Sequence, residues 1–330
     1  MKKGLVSIIT PCYNTAHLVS RLLDSVVRQT YIKIEMFMID DGSTDNIKEV
    51  AETYRKRFED RGYVLEYIYQ SNQGQSAAIN NGLKLINGEY VIWPDSDDWF
   101  RSEYALQSFV KALQEHDDSY AVVRSVPTYV NEIDLSERLA VGYSTDTEQF
   151  ENCLYNENFF WGAGNYMARV SALDKAISSR EIYVAKNAGQ NWQLLLPLLY
   201  KNKCVTLMES YLNVLERQDS HSRGLYAESL EKQLLRIQSY EETIVATLQK
   251  MHMSENERIV YLKKISSKYL LEKINVSIEY KQGNKAFNYY RLYQSSGGKL
   301  SRKRLAILYL LNIPILRSIY LMYSKNATNR

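Results

Sequence analysis

Gly88-Glu89-Tyr90-Val91-Ile92-Trp93-Pro94-Asp95-Ser96-Asp97-Asp98 is an apolar run that ends in three carboxylates. Its first half reads as a strand from Glu89 to Trp93, entered from Asn87-Gly88, a helix stop. Its second half puts like charges side by side, which is tolerable only where a cation or hydrogen-bond donors compensate. Oxygen ligands suit magnesium or manganese, hard ions that bind through one or two carboxylates plus the phosphates of a substrate. A solvated acidic turn capping the next helix would use the same residues.

Upstream, short β-rich runs alternate with amphipathic segments, the pattern of a parallel sheet covered by helices. Val6 to Thr10 reads as a strand. Leu18, Val19, Leu22, Leu23, Val26 and Val27 form one apolar face of a helix between Thr15 and Gln29. Ile34 to Ile39 is the next strand, followed by a turn at Asp40 to Asp45 and a helix to about Phe58. Val64 to Tyr69 is a third strand, and Gln75 to Ile86 a helix. In open α/β sheets ligands gather outside the carboxyl ends of the strands, so the loops Pro11–Asn14, Asp40–Asp45 and Asp95–Asp98 are expected to share one crevice. Downstream, the spacing predicts a helix to His116, a β-rich run from Tyr120 to Val130, a less regular stretch through Gly164, a helix from Gly189 to Tyr200, and β-like runs at Val205–Met208 and Tyr211–Leu215. Beyond Gly224 nearly everything reads as helix, so two domains are expected, 1–223 and 224–330.

Four motifs carry a resemblance: Ser7-Ile8-Ile9-Thr10-Pro11-Cys12-Tyr13-Asn14, Ile39-Asp40-Asp41-Gly42-Ser43-Thr44-Asp45, Asn72-Gln73-Gly74-Gln75-Ser76-Ala77-Ala78-Ile79-Asn80-Asn81-Gly82, and the Gly88–Asp98 run. In this order the chain, over about residues 4 to 222, resembles a family-2 glycosyltransferase with the GT-A fold, an α/β Rossmann-like mixed sheet flanked by helices. The resemblance implies an inverting, metal-dependent transfer of a hexose, glucose or galactose, from a UDP-sugar to a glycan acceptor carried on protein or lipid. It implies that Pro11, Tyr13 and Asn14 line the nucleotide pocket, that Asp41 holds uracil, and that Asp95 sits near the ribose or donor sugar. Gln75 and Ser96 join that donor set. Asp97 would be the metal ligand, for Mn2+ or Mg2+, and the segment Arg217 to Ser222 the loop that closes over the diphosphate. Arg217 would then contact the donor and His221 would be a second metal ligand, the alternative being an ordinary loop histidine.

Two departures stand out. Ile79 occupies a position where many family members carry arginine, so a phosphate contact would fall to Arg217 or Arg223. Gly189-Gln190-Asn191-Trp192 replaces an acidic pair whose aspartate takes the acceptor proton, and amides have no titratable acceptor near neutral pH. Asn191 and Gln190 are left to orient the acceptor. Asp98, Glu151, Glu157 or the leaving diphosphate would take the proton. A catalytically silent nucleotide-sugar or glycan-binding partner is the competing reading.

The 330 residues, 45% hydrophobic and 24% charged, exclude a disordered or disulfide-stapled chain. Cys12, Cys153 and Cys204 have no paired spacing and read as inert thiols. No Gly-x-Gly-x-x-Gly follows the first strand, which argues against a dehydrogenase. Net charge is +3, yet from Lys285 onward there are nine Lys or Arg and no Asp or Glu, so a mildly acidic body carries a basic tail. That charge is too little for a nucleic-acid partner. Leu305 to Tyr323 reaches spanning length only by including Asn312, Pro314 and Arg317. A cytoplasmic protein is expected, with the helical region serving acceptor binding, homo-oligomerisation or, through Lys299, Arg302, Lys303 and Arg304, docking on the inner membrane face. Among the aromatics, Trp99 and Trp161 are the first candidates for sugar platforms.

Overall fold

The computed structural model describes residues 1–185, 188–217 and 229–313. Its first half is built from β1 (Lys2–Cys12), α1 (Ala16–Val27), β2 (Ile34–Asp41), α2 (Ile47–Asp60), β3 (Val64–Gln70), α3 (Gln75–Leu85), β4 (Gly88–Ile92), β5 (Trp99–Phe100) and α4 (Ala105–Gln114). Next come β6 (Tyr120–Ser125), β7 (Thr128–Asn131), β8 (Glu137–Leu139), α5 (Phe150–Tyr155), β9 (Tyr166–Arg169), α6 (Val170–Ala176), α7 (Gln190–Leu199), β10 (Lys203–Leu207) and β11 (Leu212–Glu216).

The main sheet has the order β10-β6-β9-β4-β1-β2-β3. Strands β4, β1, β2 and β3 run parallel, and β9 is antiparallel to both β4 and β6. The chain therefore steps outward from β1 through β2 to β3, then returns to the other side of β1 as β4. That reversal is the topological switch point at which α/β sheets open a crevice. Register brings the tips level, with Cys12 paired to Asp40 and Asp41 to Gln70. Every residue of β2 is buried, as expected for a central parallel strand covered on both faces.

The helices cover the sheet through the faces expected of them. Leu18, Val19, Leu22, Leu23 and Val26 of α1 are all buried. Helix α3 lies so close to β1 that a Cβ on Gly82 would sit 2.3 Å from Ile9 Cγ2. The β-rich run from Tyr120 to Val130 proves to be two strands. Pro127, with no N–H to donate, falls between them, so β6 stays in the main sheet while β7 joins a second sheet of order β5-β11-β7-β8. This small sheet carries the chain back past the tip of β4.

The described chain divides into two compact units, the second starting beyond residue 218 except that Ala246–His252 belongs with the first. The boundary expected near Gly224 lies outside the described residues. The second unit is helical, from α8 (Leu230–Lys250) up to Val245, α9 (Glu255–Glu279), α10 (Gly283–Ser295) and α11 (Arg302–Asn312). Buried Ile265, Tyr269, Ile274, Ala286, Leu308 and Leu311 contribute to its interior. Helix α9 begins with a capping box, in which Ser254 accepts from the Glu257 N–H and Glu257 accepts from the Ser254 N–H. Ser254→Ala should destabilise this helix by about 1 kcal/mol, read as a lowered urea midpoint. No described helix is long and apolar enough to cross a membrane.

Candidate active site

Each strand tip delivers a loop, and hydrogen bonds tie the loops together. After β1, Asn14 adopts a left-handed conformation (φ 52°), its N–H donating to Ser43 Oγ at 2.9 Å and its Oδ1 accepting from the Thr44 N–H at 2.8 Å. Asp45 closes the same junction by accepting from the Ala16 N–H at the start of α1 (2.8 Å). Pro11 is buried beside this junction in sequence, while Tyr13 is 48% exposed. Asn14 is thus a seam between two loops as well as a candidate donor contact.

Asp40 and Asp41 differ in role although adjacent. Asp40 accepts from the Ser43 N–H (2.8 Å) and from the Tyr67 hydroxyl, whose pKa is pushed upward by burial and by this bond. Asp41 is 4% exposed and organises the turn before α3. Its Oδ1 accepts from Gln70 Nε2 (2.6 Å) and the Gln73 N–H (2.9 Å), and its Oδ2 from the Gly74 N–H (2.7 Å). Three donors hold this carboxylate, so any base bound there would share oxygens that already shape the loop.

The acidic run after β4 is sorted by its surroundings. Asp95 Oδ1 accepts from Gln75 Nε2 (2.8 Å) and Gln190 Nε2 (3.2 Å). Burial, then the charge of Asp97, push its pKa up to about 7 against the pull of these two amides. Asp98 is 3% exposed and accepts from the Leu215 N–H of β11 (3.0 Å). Burial, followed by Asp97 and Asp95, raises it well above the usual carboxylate range. Ser96 is buried. Asp97 is partly exposed and faces a cation, Arg217 Nη1, at 3.4 Å.

Asn191, expected to orient an acceptor, accepts from Trp93 Nε1 at 3.2 Å, and Trp93 itself is core. The amide pair at the start of α7 is therefore bonded to the β4 tip at two points, Gln190 to Asp95 and Asn191 to Trp93. Ile79 is fully buried, so the position where family members often carry arginine is a packing position here. Glu151 and Glu157 are exposed on and just beyond α5. The ring of Trp99 is covered by the Arg21 guanidinium at 4.6 Å. Trp161 packs against Trp192 at 4.9 Å and donates to Asn156 (2.6 Å). His221 and Arg223 lie outside the described residues. The three cysteines are free and buried.

Sequence reasoning missed the backbone N–H of Leu215 on Asp98, the Asp45 bond to α1, and Glu132, whose Oε1 lies 3.9 Å from Arg217 Nε. Each is a contact made across a sheet or between distant loops, with no local pattern to announce it. Two cavities, of about 330 and 270 Å³, lie against α6, α7 and residues around His252, and none of the candidate site residues lines either of them.

Among the described residues no group of three His, Cys, Asp or Glu side chains is arranged to hold a metal. The donor set still fits a hard divalent ion. Asp97 already accommodates a positive group, and burial beside like charges makes two neighbouring carboxyls hold protons more strongly than usual, a strain that a cation would relieve. Such an ion takes one or two carboxylates from protein and the rest from phosphate and water.

Comparison with known proteins bears on the fold and on the family. Glycosyltransferase GlyA of Streptococcus pneumoniae is 38% identical over 117 residues, 36% of this chain and 16% of GlyA's own length. The uncharacterized glycosyltransferase EpsJ of Bacillus subtilis is 32% identical over 177 residues, 52% of this chain and 50% of EpsJ. The matched region thus spans half or less of these curated relatives. The structure of Staphylococcus aureus TarS 1–349 in complex with UDP-GlcNAc superposes with a TM-score of 0.64 at 17% identity, covering 95% of this chain and 87% of that one. A mannosyltransferase, PcManGT of Pyrobaculum calidifontis, in complex with GDP-Man and Mn2+, gives 0.57 at 15% identity, covering 98% and 85%. At these identities the structural likeness speaks for the fold, which is GT-A. The family model described as glycosyl transferase family 2 matches residues 7–176, more than half of the chain, and the chain belongs to that family.

Proposed function

We propose that this chain is a metal-dependent, inverting hexosyltransferase that moves glucose or galactose from a UDP-sugar to a hydroxyl of a glycan acceptor on a glycoprotein or polysaccharide precursor. The observation that carries the proposal is the bonded series of strand-tip loops at the switch point, ending in three carboxylates of unequal exposure with Asp97 against a cation. A uridine donor is supported by the UDP-GlcNAc complex of the TarS neighbour, and Mn2+ or Mg2+ by the manganese complex of the mannosyltransferase.

In this reading Asp97 holds the divalent ion, which when bound offsets negative charge growing on the leaving diphosphate. The protein's own work is orientation. Asn14 and Asp41 fix the loops that receive the nucleotide, and Gln75 and Gln190 hold Asp95 toward the donor. Asp98, buried and bonded to β11, keeps the acidic loop in place. Holding donor and acceptor in line removes much of the entropic barrier to their reaction. The helical unit, with Arg302, Lys303 and Arg304 exposed at the start of α11, is assigned to acceptor binding or self-association, with docking on an anionic membrane surface as the second use.

A ligand that binds only the folded state at a hundred times its Kd stabilises it by about 2.7 kcal/mol. UDP-glucose or UDP-galactose with Mn2+ should therefore raise the melting temperature by several degrees, and GDP-mannose should not. Equal protection by all three would remove the uridine assignment. A second reading, a catalytically silent sugar-nucleotide-binding partner, is favoured by one observation: both amides at the start of α7 are neutral and already bonded. Release of UDP that depends on Mn2+ and on an added glycan acceptor would exclude it.

A further inference from the structure

We infer that Arg217 is the cation that occupies Asp97 when no divalent ion is bound, and that Glu132 is a positioning residue that takes Arg217 over when an ion arrives. The inference rests on the proposed reading of Asp97 as the metal ligand. It concerns how that site is kept before loading, which no resemblance of the chain assigns.

One guanidinium spans two carboxylates by different edges, Nη1 to Asp97 Oδ2 at 3.4 Å and Nε to Glu132 Oε1 at 3.9 Å. Both contacts are long, neither is the paired fork that makes arginine pairs strong, and the Arg217, Asp97 and Glu132 side chains are 25%, 23% and 39% exposed. Such pairs hold weakly and exchange readily. The backbones that carry them are firmly placed. Glu132 and Arg217 each follow directly on a pair of matched strand residues, Asn131 opposite Glu216, and the Glu132 N–H donates to the Glu216 carbonyl at 3.2 Å. Two residues before Arg217, the Leu215 N–H fixes Asp98. The guanidinium can therefore move by side-chain rotation alone while its root stays level with the acidic loop.

A divalent ion on Asp97 would stand a few ångströms from Nη1, and the repulsion of like charges at that range displaces the weaker-held partner. Glu132 already faces the opposite edge of the guanidinium and keeps it at the mouth of the site. A diphosphate arriving with the ion then offers the planar, bidentate acceptor that arginine prefers. Arg217 would thus pass from Asp97, through Glu132, to the donor.

Mn2+ binding measured by electron paramagnetic resonance without donor separates this arrangement from plain electrostatics. Arg217→Ala should tighten Mn2+ by about three- to tenfold, because the competing cation is gone. Glu132→Gln should weaken Mn2+ by about threefold when Arg217 is present and leave it unchanged in the Arg217→Ala background, the interaction expected of residues acting through one another. With Mn2+ saturating, Arg217→Ala should weaken UDP by about tenfold or more through loss of charged hydrogen bonds. The inference is overturned if Arg217→Ala leaves Mn2+ affinity unaltered, or if Glu132→Gln weakens it equally in both backgrounds, which would show Glu132 acting only through space. Wild-type protein that binds UDP but no Mn2+ would overturn the metal reading and this inference together, whereas normal wild-type Mn2+ binding with an inert Arg217→Ala overturns this inference alone.

Discussion

Asp97→Asn is expected to lower manganese-dependent sugar transfer by about a thousandfold or more, since removal of a single preorganised electrostatic group from a reaction centre costs about 10² to 10³ in rate and the metal contributes Lewis-acid stabilisation besides. The amide matches the carboxylate in shape, so the acidic loop keeps its backbone and the Leu215 N–H bond to Asp98 is untouched. Among the described residues the ionic partner lost is Arg217, in a long and partly exposed pair, and such pairs contribute at most about 1 kcal/mol. The melting temperature of the ion-free variant should consequently stay within a few degrees of wild type. Initial rates with varied Mn2+, alongside thermal denaturation in EDTA, check both halves. A variant that transfers sugar at wild-type rate would end the assignment of Asp97, and one that unfolds would place Asp97 among the residues that hold the loop.

How much of this is legible in the sequence depends on the range over which each feature is determined. The βαβ alternation is readable because it rests on local periodicity. The face of α1 from Leu18 to Val27 is buried as its spacing implies, Val27 only in part, and strand ends fall within a few residues of expectation. The Asp95 to Asp98 run is readable because clustered like charges at a strand tip need an explanation wherever they occur. What those residues do to one another is not readable. Asp95, Asp97 and Asp98 are near neighbours along the chain, yet the fold sends Asp95 toward α7, Asp98 toward β11 and Asp97 toward a guanidinium. Glu132 meets Arg217 only because β7 and β11 pair in parallel within a sheet that no periodicity foreshadows. The split of the Tyr120–Val130 run at Pro127 stands between these cases: the proline is visible, but which sheet each half joins depends on partners far along the chain.

The small sheet holds the acidic loop in two different ways. Strand β11 contributes a buried backbone donor to Asp98 and, one residue past its end, a weakly held cation to Asp97. Across the loop, two neutral amides from α3 and α7 hold Asp95. Neutral donors are what a carboxyl that sometimes carries a proton can tolerate, because an amide pairs with either form at modest cost.

That arrangement makes the stability of the ion-free protein depend on pH with a defined sign. The folded-state pKa of Asp95, about 7 against an ordinary 3.8, is raised, as is that of Asp98. Between those limits the folded state keeps a proton that the unfolded chain has lost, so stability is greatest near and below the ordinary carboxylate pKa and falls as pH rises toward and through 7. Each tenfold difference in proton affinity between the two states corresponds to about 1.4 kcal/mol, and after allowance for solvent screening at the partly exposed Asp95 we expect about 2 kcal/mol to be lost from this residue between about pH 5 and pH 8. Asp95→Asn removes the titration while retaining an oxygen for Gln75 and Gln190. The variant should match wild type near about pH 4 and exceed its melting temperature by several degrees near about pH 8 in EDTA. Saturating Mn2+ should raise the wild type most at the alkaline end, because the ion replaces the proton as the positive group in the loop. Parallel melting curves for the two proteins across this range would mean that Asp95 is ionised throughout in the folded state, and that its amide partners, with no help from a proton or a metal, are enough to hold the charge.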